Sequence, residues 1–210
     1  MDIVAYRAAL RGLLRDSGLS VWSDGQLDDA PRQALEQYSR VAPLSQVAAL
    51  TLASGGREQS VAGLGGLLEV AEVWLPYTAA QPETPPQRRA FRRLTPTTLY
   101  LEDGAEPDAG ETMRVFYTAL HTVQGLDGAG TTTIPAWHAH DVAAGAAALA
   151  AQARARQVAE AENALPAVRR WTVEWAAART RDWEAWLGEV AAPMSGWVGW
   201  PTPPAAAMEF

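Results

Sequence analysis

An alanine-rich run behind a Gly and Thr loop constrains this chain more than any other stretch. Residues 121–134, His-Thr-Val-Gln-Gly-Leu-Asp-Gly-Ala-Gly-Thr-Thr-Thr-Ile, read as a strand-like end passing into a loop, and Pro135 can occupy the first turn of a helix. The helix expected over 135–161 presents almost nothing larger than alanine. A surface helix shows a polar face opposite its apolar stripe, so a helix with small residues on every side is buried among neighbours or clamped between subunits. Gly145 lies inside it, where glycine costs on the order of 1 kcal/mol relative to alanine, and this marks the position for a close backbone approach.

Composition narrows the chemistry. The chain has 210 residues, 48% of them hydrophobic, enough for a core without staples. It has no cysteine, so disulfides, thiolate nucleophiles and cysteine-ligated zinc are excluded. It also has no lysine: all 17 basic residues are arginine, which removes a P-loop lysine and a Schiff-base lysine. A formal net charge of −7 disfavours a protein whose main task is to grip phosphates. No apolar window suits a membrane span and the first residues lack the pattern of an export leader, so the expectation is a soluble, unexported chain.

Helical periodicity comes first along the chain. Ile3, Tyr6, Leu10, Leu13 and Leu14 share a stripe, giving a helix over about 2–17 with Gly18 as its cap. Ser23 with Gln26 has the form of a capping box before a second helix that lasts until Pro43. Pro31 implies either a kink in that helix or a start near Asp28 or Asp29. From Ser45 the period changes, and strands are expected over 46–53, 69–75, 98–102 and 112–120, the last two joined as a hairpin across the turn-rich residues 103–111. Residues 78–87 read as an exposed loop. A fourth helix follows Pro166, with Val168, Trp171, Trp175, Trp186, Leu187 and Val190 on one face. The fold class is therefore α+β: a mainly helical bundle, discontinuous over 1–191, with a small antiparallel β module inserted at about 45–120 and an extended C-terminal arm over 192–210.

Few constellations suggest chemistry. His138, His140 and Asp141, with His121, form the one cluster with metal-ligand residue types. On a helix His138 and His140 point about 200° apart, whereas His138 and Asp141 could share an ion. Asp141 is also explained as a first-turn residue complementing the helix N-terminus. No Gly-x-Ser-x-Gly elbow is present. The expectation is a protein that is not an enzyme, with no cofactor, no metal and no catalytic residues; a small metal-dependent enzyme using His138 and Asp141 is the alternative. Arg88, Arg89, Arg92 and Arg93 around Phe91 make the sharpest basic cluster, read either as a docking patch or as solvated charge flanking a strand. Trp171, Trp175, Trp183 and Trp186 read as core and inter-helix packing. Trp197, Trp200, Pro201 and Phe210 lie outside any expected element, and large apolar side chains in such a tail suit binding to a partner.

The order of parts resembles a known family. A helix pair with Trp22-Ser23-Asp24 before its second member and 34–40, Ala-Leu-Glu-Gln-Tyr-Ser-Arg, ending it precedes a β insertion. His121-Thr122-Val123 through Thr132-Thr133-Ile134-Pro135 and the Gly145-Ala146-Ala147-Ala148 helix then follow. This layout, over about residues 1–190, resembles the head-tail connector (adaptor) proteins of tailed bacteriophages and prophages. The resemblance implies a structural virion protein of the neck: a homo-oligomeric, dodecameric ring under the portal protein, meeting a downstream neck or tail protein, with DNA only in transit through the lumen and no membrane. It implies that 192–210 is a portal-facing arm and that the protein resides at the head-tail interface of the virion, passing through the host cytoplasm during assembly. Another neck or tail-completion protein, such as a stopper, is the neighbouring alternative.

Overall fold

Local hydrogen-bonding chemistry sets the first helix ends. The computed structural model describes residues 1–16, 21–80, 87–161 and 165–194. Helix α1 (Ile3–Leu13) begins where the Asp2 carboxylate accepts the Ala5 amide at 2.8 Å. It ends four residues short of the expected 17. Arg15 turns into the left-handed region at φ 57°, its amide donating to the Gly12 carbonyl and that of Asp16 to the Arg11 carbonyl. These are the paired bonds of a Schellman end, achieved without glycine. Asp16 holds this end in place: its nearly buried carboxylate accepts from the Arg11 guanidinium at 3.0 Å and from the Val21 and Trp22 amides at 3.2 Å. Gly18 lies outside the described residues.

Helix α2 (Asp24–Val41) opens with the Ser23–Gln26 capping box. It starts well before Asp28, so Pro31 is an interior residue; the helix forgoes one backbone bond and buries the ring instead. Helix α3 (Ala139–Glu160) begins four residues after Pro135, whose carbonyl accepts the His138 amide in a preliminary turn. Helix α4 (Pro166–Met194) starts on its proline and continues through Pro193 to Met194, so residues 192–194 of the expected extended arm are helical instead. Residues 195–210, and with them Trp197, Trp200, Pro201 and Phe210, lie outside the described residues. No helix among the described residues is long and apolar enough to cross a membrane.

The chain divides into two units: Met1–Ala42 with everything from Thr122 onward, and Pro43–His121 between them. In the helical unit, side chains from all four helices share one apolar core, with α3 packed against α1, α2 and α4. The fold is mixed α+β.

Among its described residues the β unit holds two three-stranded antiparallel sheets. In the first, β6 (Thr112–Ala119) lies between β1 (Leu44–Thr51) and β3 (Leu67–Trp74); β1 and β6 pair in unbroken register from Leu44 opposite Ala119 to Thr51 opposite Thr112. In the second, β5 (Thr98–Leu101) lies between β2 (Glu58–Ser60) and β4 (Phe91–Thr95). Leu99 and Leu101 of β5 share a buried cluster with Val73, Met113 and Val115 of the first sheet.

The expected hairpin of 98–102 with 112–120 does not form, because residues 103–111 carry the chain from one sheet to the other. Arginines tie down that crossover. Arg57 donates to the Leu101 and Gly104 carbonyls and Arg89 to those of Asp103 and Ala105, while the Gly110 amide donates to the Leu52 carbonyl and feeds β6 onto β1. The hairpin present is β4–β5, turning at Pro96 and Thr97. β2 and β4 were not anticipated: the one is three residues long, and the other holds Arg92 and Arg93, two of the arginines read as a patch.

Candidate functional site

The centre of the helical unit is a close packing of α3 on α4. Every residue from Gly145 to Ala151 is buried, nearly two full turns, so this part of α3 has no solvent face. A Cβ added at Gly145 would overlap the six-membered ring of Trp183. The close approach is thus between α3 backbone and an indole of α4. Trp183 is fixed from its other edge, its Nε1 donating to Gln37 Oε1 of α2 at 2.6 Å.

An aromatic ladder continues from this contact. Trp183 stacks on Trp186 at 5.2 Å, Trp186 stacks on Tyr38 at 5.8 Å, and the His138 ring stands edge-on to both Trp186 and Tyr38. The Tyr38 hydroxyl hydrogen-bonds His138 Nδ1 at 2.7 Å, and the buried Tyr6 hydroxyl donates to the Ala139 carbonyl at 3.2 Å. Burial pushes the pKa of both phenols up, with Tyr38 adding to the shift at Tyr6. Both phenols therefore stay neutral hydrogen-bonding partners.

This geometry accounts for the candidate metal cluster residue by residue. Nδ1 of His138 is engaged by Tyr38, which leaves only Nε2 for a ligand. Asp141 instead lines a cleft of about 160 Å³ with Arg179, Asp182, Trp183 and Trp186. His140 is exposed on the first turn of α3, and His121 is a buried residue ending the β unit. Among the described residues no three His, Asp or Glu side chains gather as a metal site.

The arginine cluster is mostly consumed within the β unit. Arg89, with 9% of its side chain exposed, grips the crossover as described and faces the Asp103 carboxylate at 3.3 Å. Arg93 donates to the Leu68 and Pro96 carbonyls at 2.7 and 2.6 Å. Arg88 pairs with Glu72, and Arg92 lies over the Tyr100 ring near Glu102. Arg88, Arg92 and Arg93 remain exposed, and of these only Arg93 is spent on backbone carbonyls. Sequence reading missed Arg114, whose guanidinium lies among the rings of Trp74, Tyr77 and Phe116 and donates to the Tyr77 hydroxyl. Phe116, two residues on and so on the same strand face, was the available signal.

The four tryptophans of α4 divide into two groups. Trp183 is buried and Trp186 half-buried in the ladder, whereas Trp171 is 63% exposed and stacks on the half-buried Trp175 at 5.9 Å with the rings 7° from parallel. The expected apolar stripe therefore breaks at its N-terminal end, where Val168 is exposed too and the smaller Thr172 and Ala176 face the core. Trp171 and Trp175 form one wall of an apolar groove of about 490 Å³, with Trp22 and Val158 among its other lining residues and Arg15 and Arg154 at its edges. No protein-family model matches this sequence, and no curated protein matches it.

Proposed function

We propose that the chain is a head-tail connector (adaptor) subunit of a tailed bacteriophage or prophage. On this reading it is a structural, non-enzymatic virion protein whose helical bundle and extended arm assemble as a dodecameric ring joining the portal to the tail. The observation that carries the reading is the enclosure of α3: an alanine-rich helix buried on every side over 145–151, reached through the Gly and Thr loop after a β unit that interrupts the helical unit between Ala42 and Thr122. That order of parts is the layout on which the resemblance rests. The charge agrees with it, since a net −7 without lysine suits a lumen that lets DNA pass without holding it.

The experiment is reconstitution of the full chain with the portal protein encoded beside it, followed by electron microscopy. An added ring-shaped layer on the portal is the expected result. A chain that ignores the portal but binds a tail-side protein would be a stopper or other completion protein. One that binds neither and turns over a substrate would be an enzyme.

A further inference from the structure

Among the described residues the two sheets end in four edge strands, and three of these are guarded. β3 carries two register shifts and the carboxylates Glu69 and Glu72, and residues 87–89 lie along its end, the Leu75 amide donating to the Gln87 carbonyl and the Arg89 amide to that of Val73. β2 is three residues long, and β4 carries Arg92, Arg93 and a register shift. Charge, bulges and brevity are the means by which sheet edges avoid pairing with another chain. β1 has none of them: Leu-Ser-Gln-Val-Ala-Ala-Leu-Thr is eight residues long, uncharged and free of proline, and its register with β6 is unbroken.

The ladder fixes which groups face outward. The Leu52 amide donates to the Glu111 carbonyl where the β1–β6 register continues, and bonded pairs alternate with unbonded ones in an antiparallel ladder, so Leu44, Gln46, Ala48 and Leu50 spend their backbone groups on β6. The N–H and C=O groups of Ser45, Val47, Ala49 and Thr51 point the other way, where no described strand pairs with them, and their side chains are exposed. The strand that fits this edge is β1 itself. Antiparallel pairing about a two-fold axis at Ala48 sets Ser45 opposite Thr51, Val47 opposite Ala49 and Ala48 opposite its own copy. Hydroxyl then meets hydroxyl, apolar meets apolar, no charge is opposed, and every outward N–H of one copy meets an outward C=O of the other. The segments outside the described residues offer no strand of this length, since none has eight consecutive residues without proline. We propose that β1 is a self-association edge, which joins the first sheets of two copies of this chain into one. The pairing goes beyond the connector reading: a two-fold contact is complete once two copies meet and does not repeat around a cyclic ring, so it belongs to the chain apart from the portal.

Sedimentation velocity of the full chain alone, from about 1 to about 100 μM, should show a monomer–dimer equilibrium. Val47→Pro removes an outward N–H and leaves the bonds to β6 in place. It should weaken the dimer by about 30-fold, because the residue enters the pairing twice, with the circular dichroism spectrum and melting temperature nearly unchanged. A wild-type chain that stays monomeric throughout, or a Val47→Pro chain that dimerises as tightly as wild type, overturns the proposal. Cross-linking reads the register without that variant, in a chain that has no cysteine of its own. Val47→Cys and Ala49→Cys chains mixed under mild oxidation should give linked dimers, since directly opposed Cα atoms of a bonded pair lie about 5.5 Å apart. Either variant alone should not, because its two cysteines sit on the diagonal, about 7–8 Å apart. Mixed chains that link no more than the single variants overturn the proposal. Both measurements are made without the portal, so their failure rejects the pairing alone, and a failure of portal binding rejects the connector reading alone.

Discussion

The two units are each held together by different side chains. In the helical unit the core is made of alanine and glycine on α3, and single large rings fill what the small residues leave: Trp183 over Gly145, then Trp186, Tyr38 and His138. In the β unit aliphatic side chains fill the core, and it is the crossings between strands that arginines Arg57, Arg89 and Arg93 secure through backbone carbonyls. The lesson concerns charge. A run of arginines in a lysine-free chain reads as a surface patch, yet a guanidinium has five donors in a fixed fork and can act as a structural tie for loop carbonyls.

The most severe way to break the comparison is Gly145→Leu. The indole of Trp183 leaves no room even for a Cβ, so the variant should lose at least about 3 kcal/mol, above the usual overpacking range, and fail to give a cooperative thermal transition. A melting temperature within a few degrees of wild type would show that α3 and α4 can separate cheaply.

That contact shows what a sequence can and cannot display. A glycine in an alanine-rich helix announces a close approach, since helix propensity alone favours alanine there, but not whether backbone or ring supplies it. Caps are equally local, so Ser23 and Gln26 identify the start of α2, and Pro31 misleads only because burial within α2 offsets its missing bond. Strand pairing is not local. The turn residues of 103–111 suit a hairpin, and nothing in the letters says that Arg57 and Arg89 hold them as a crossover between sheets. Likewise, Trp171, Trp175 and Trp186 share a helical face, but only packing separates the half-buried Trp175 and Trp186 from the exposed Trp171.

Next in expected size is Arg89→Ala, which removes a nearly buried guanidinium and leaves the Asp103 and Ala105 carbonyls unpaired; a loss of about 2–3 kcal/mol in urea unfolding is expected. Arg88→Ala and Arg92→Ala, both exposed, should each change stability by less than about 0.5 kcal/mol. Equal effects from all three would return the cluster to a surface role. Trp183→Phe keeps a ring over Gly145 but forfeits the bond to Gln37, and should cost roughly 1 to 2 kcal/mol by chemical denaturation.

The smallest effect concerns acid. The Arg32 guanidinium donates to Asp127 and holds its carboxyl below the usual carboxylate range. A depressed folded pKa means a contribution fully present above the unfolded carboxylate's range and lost as pH falls through the folded value. Asp127→Asn should therefore lower neutral-pH stability slightly and flatten the acid limb of unfolding, followed by circular dichroism, by the same small amount. An acid limb identical to wild type would remove this pair from the account.

The central claim is that α3 is the closed centre of the helical unit. Hydrogen exchange of the full chain, read peptide by peptide by mass spectrometry, tests it directly. The account predicts that amides 145–151 exchange last in the helical unit, opening only with global unfolding, while those of 168–175 beside the open groove exchange much earlier. Exchange of 145–151 as fast as that of 168–175 would contradict it.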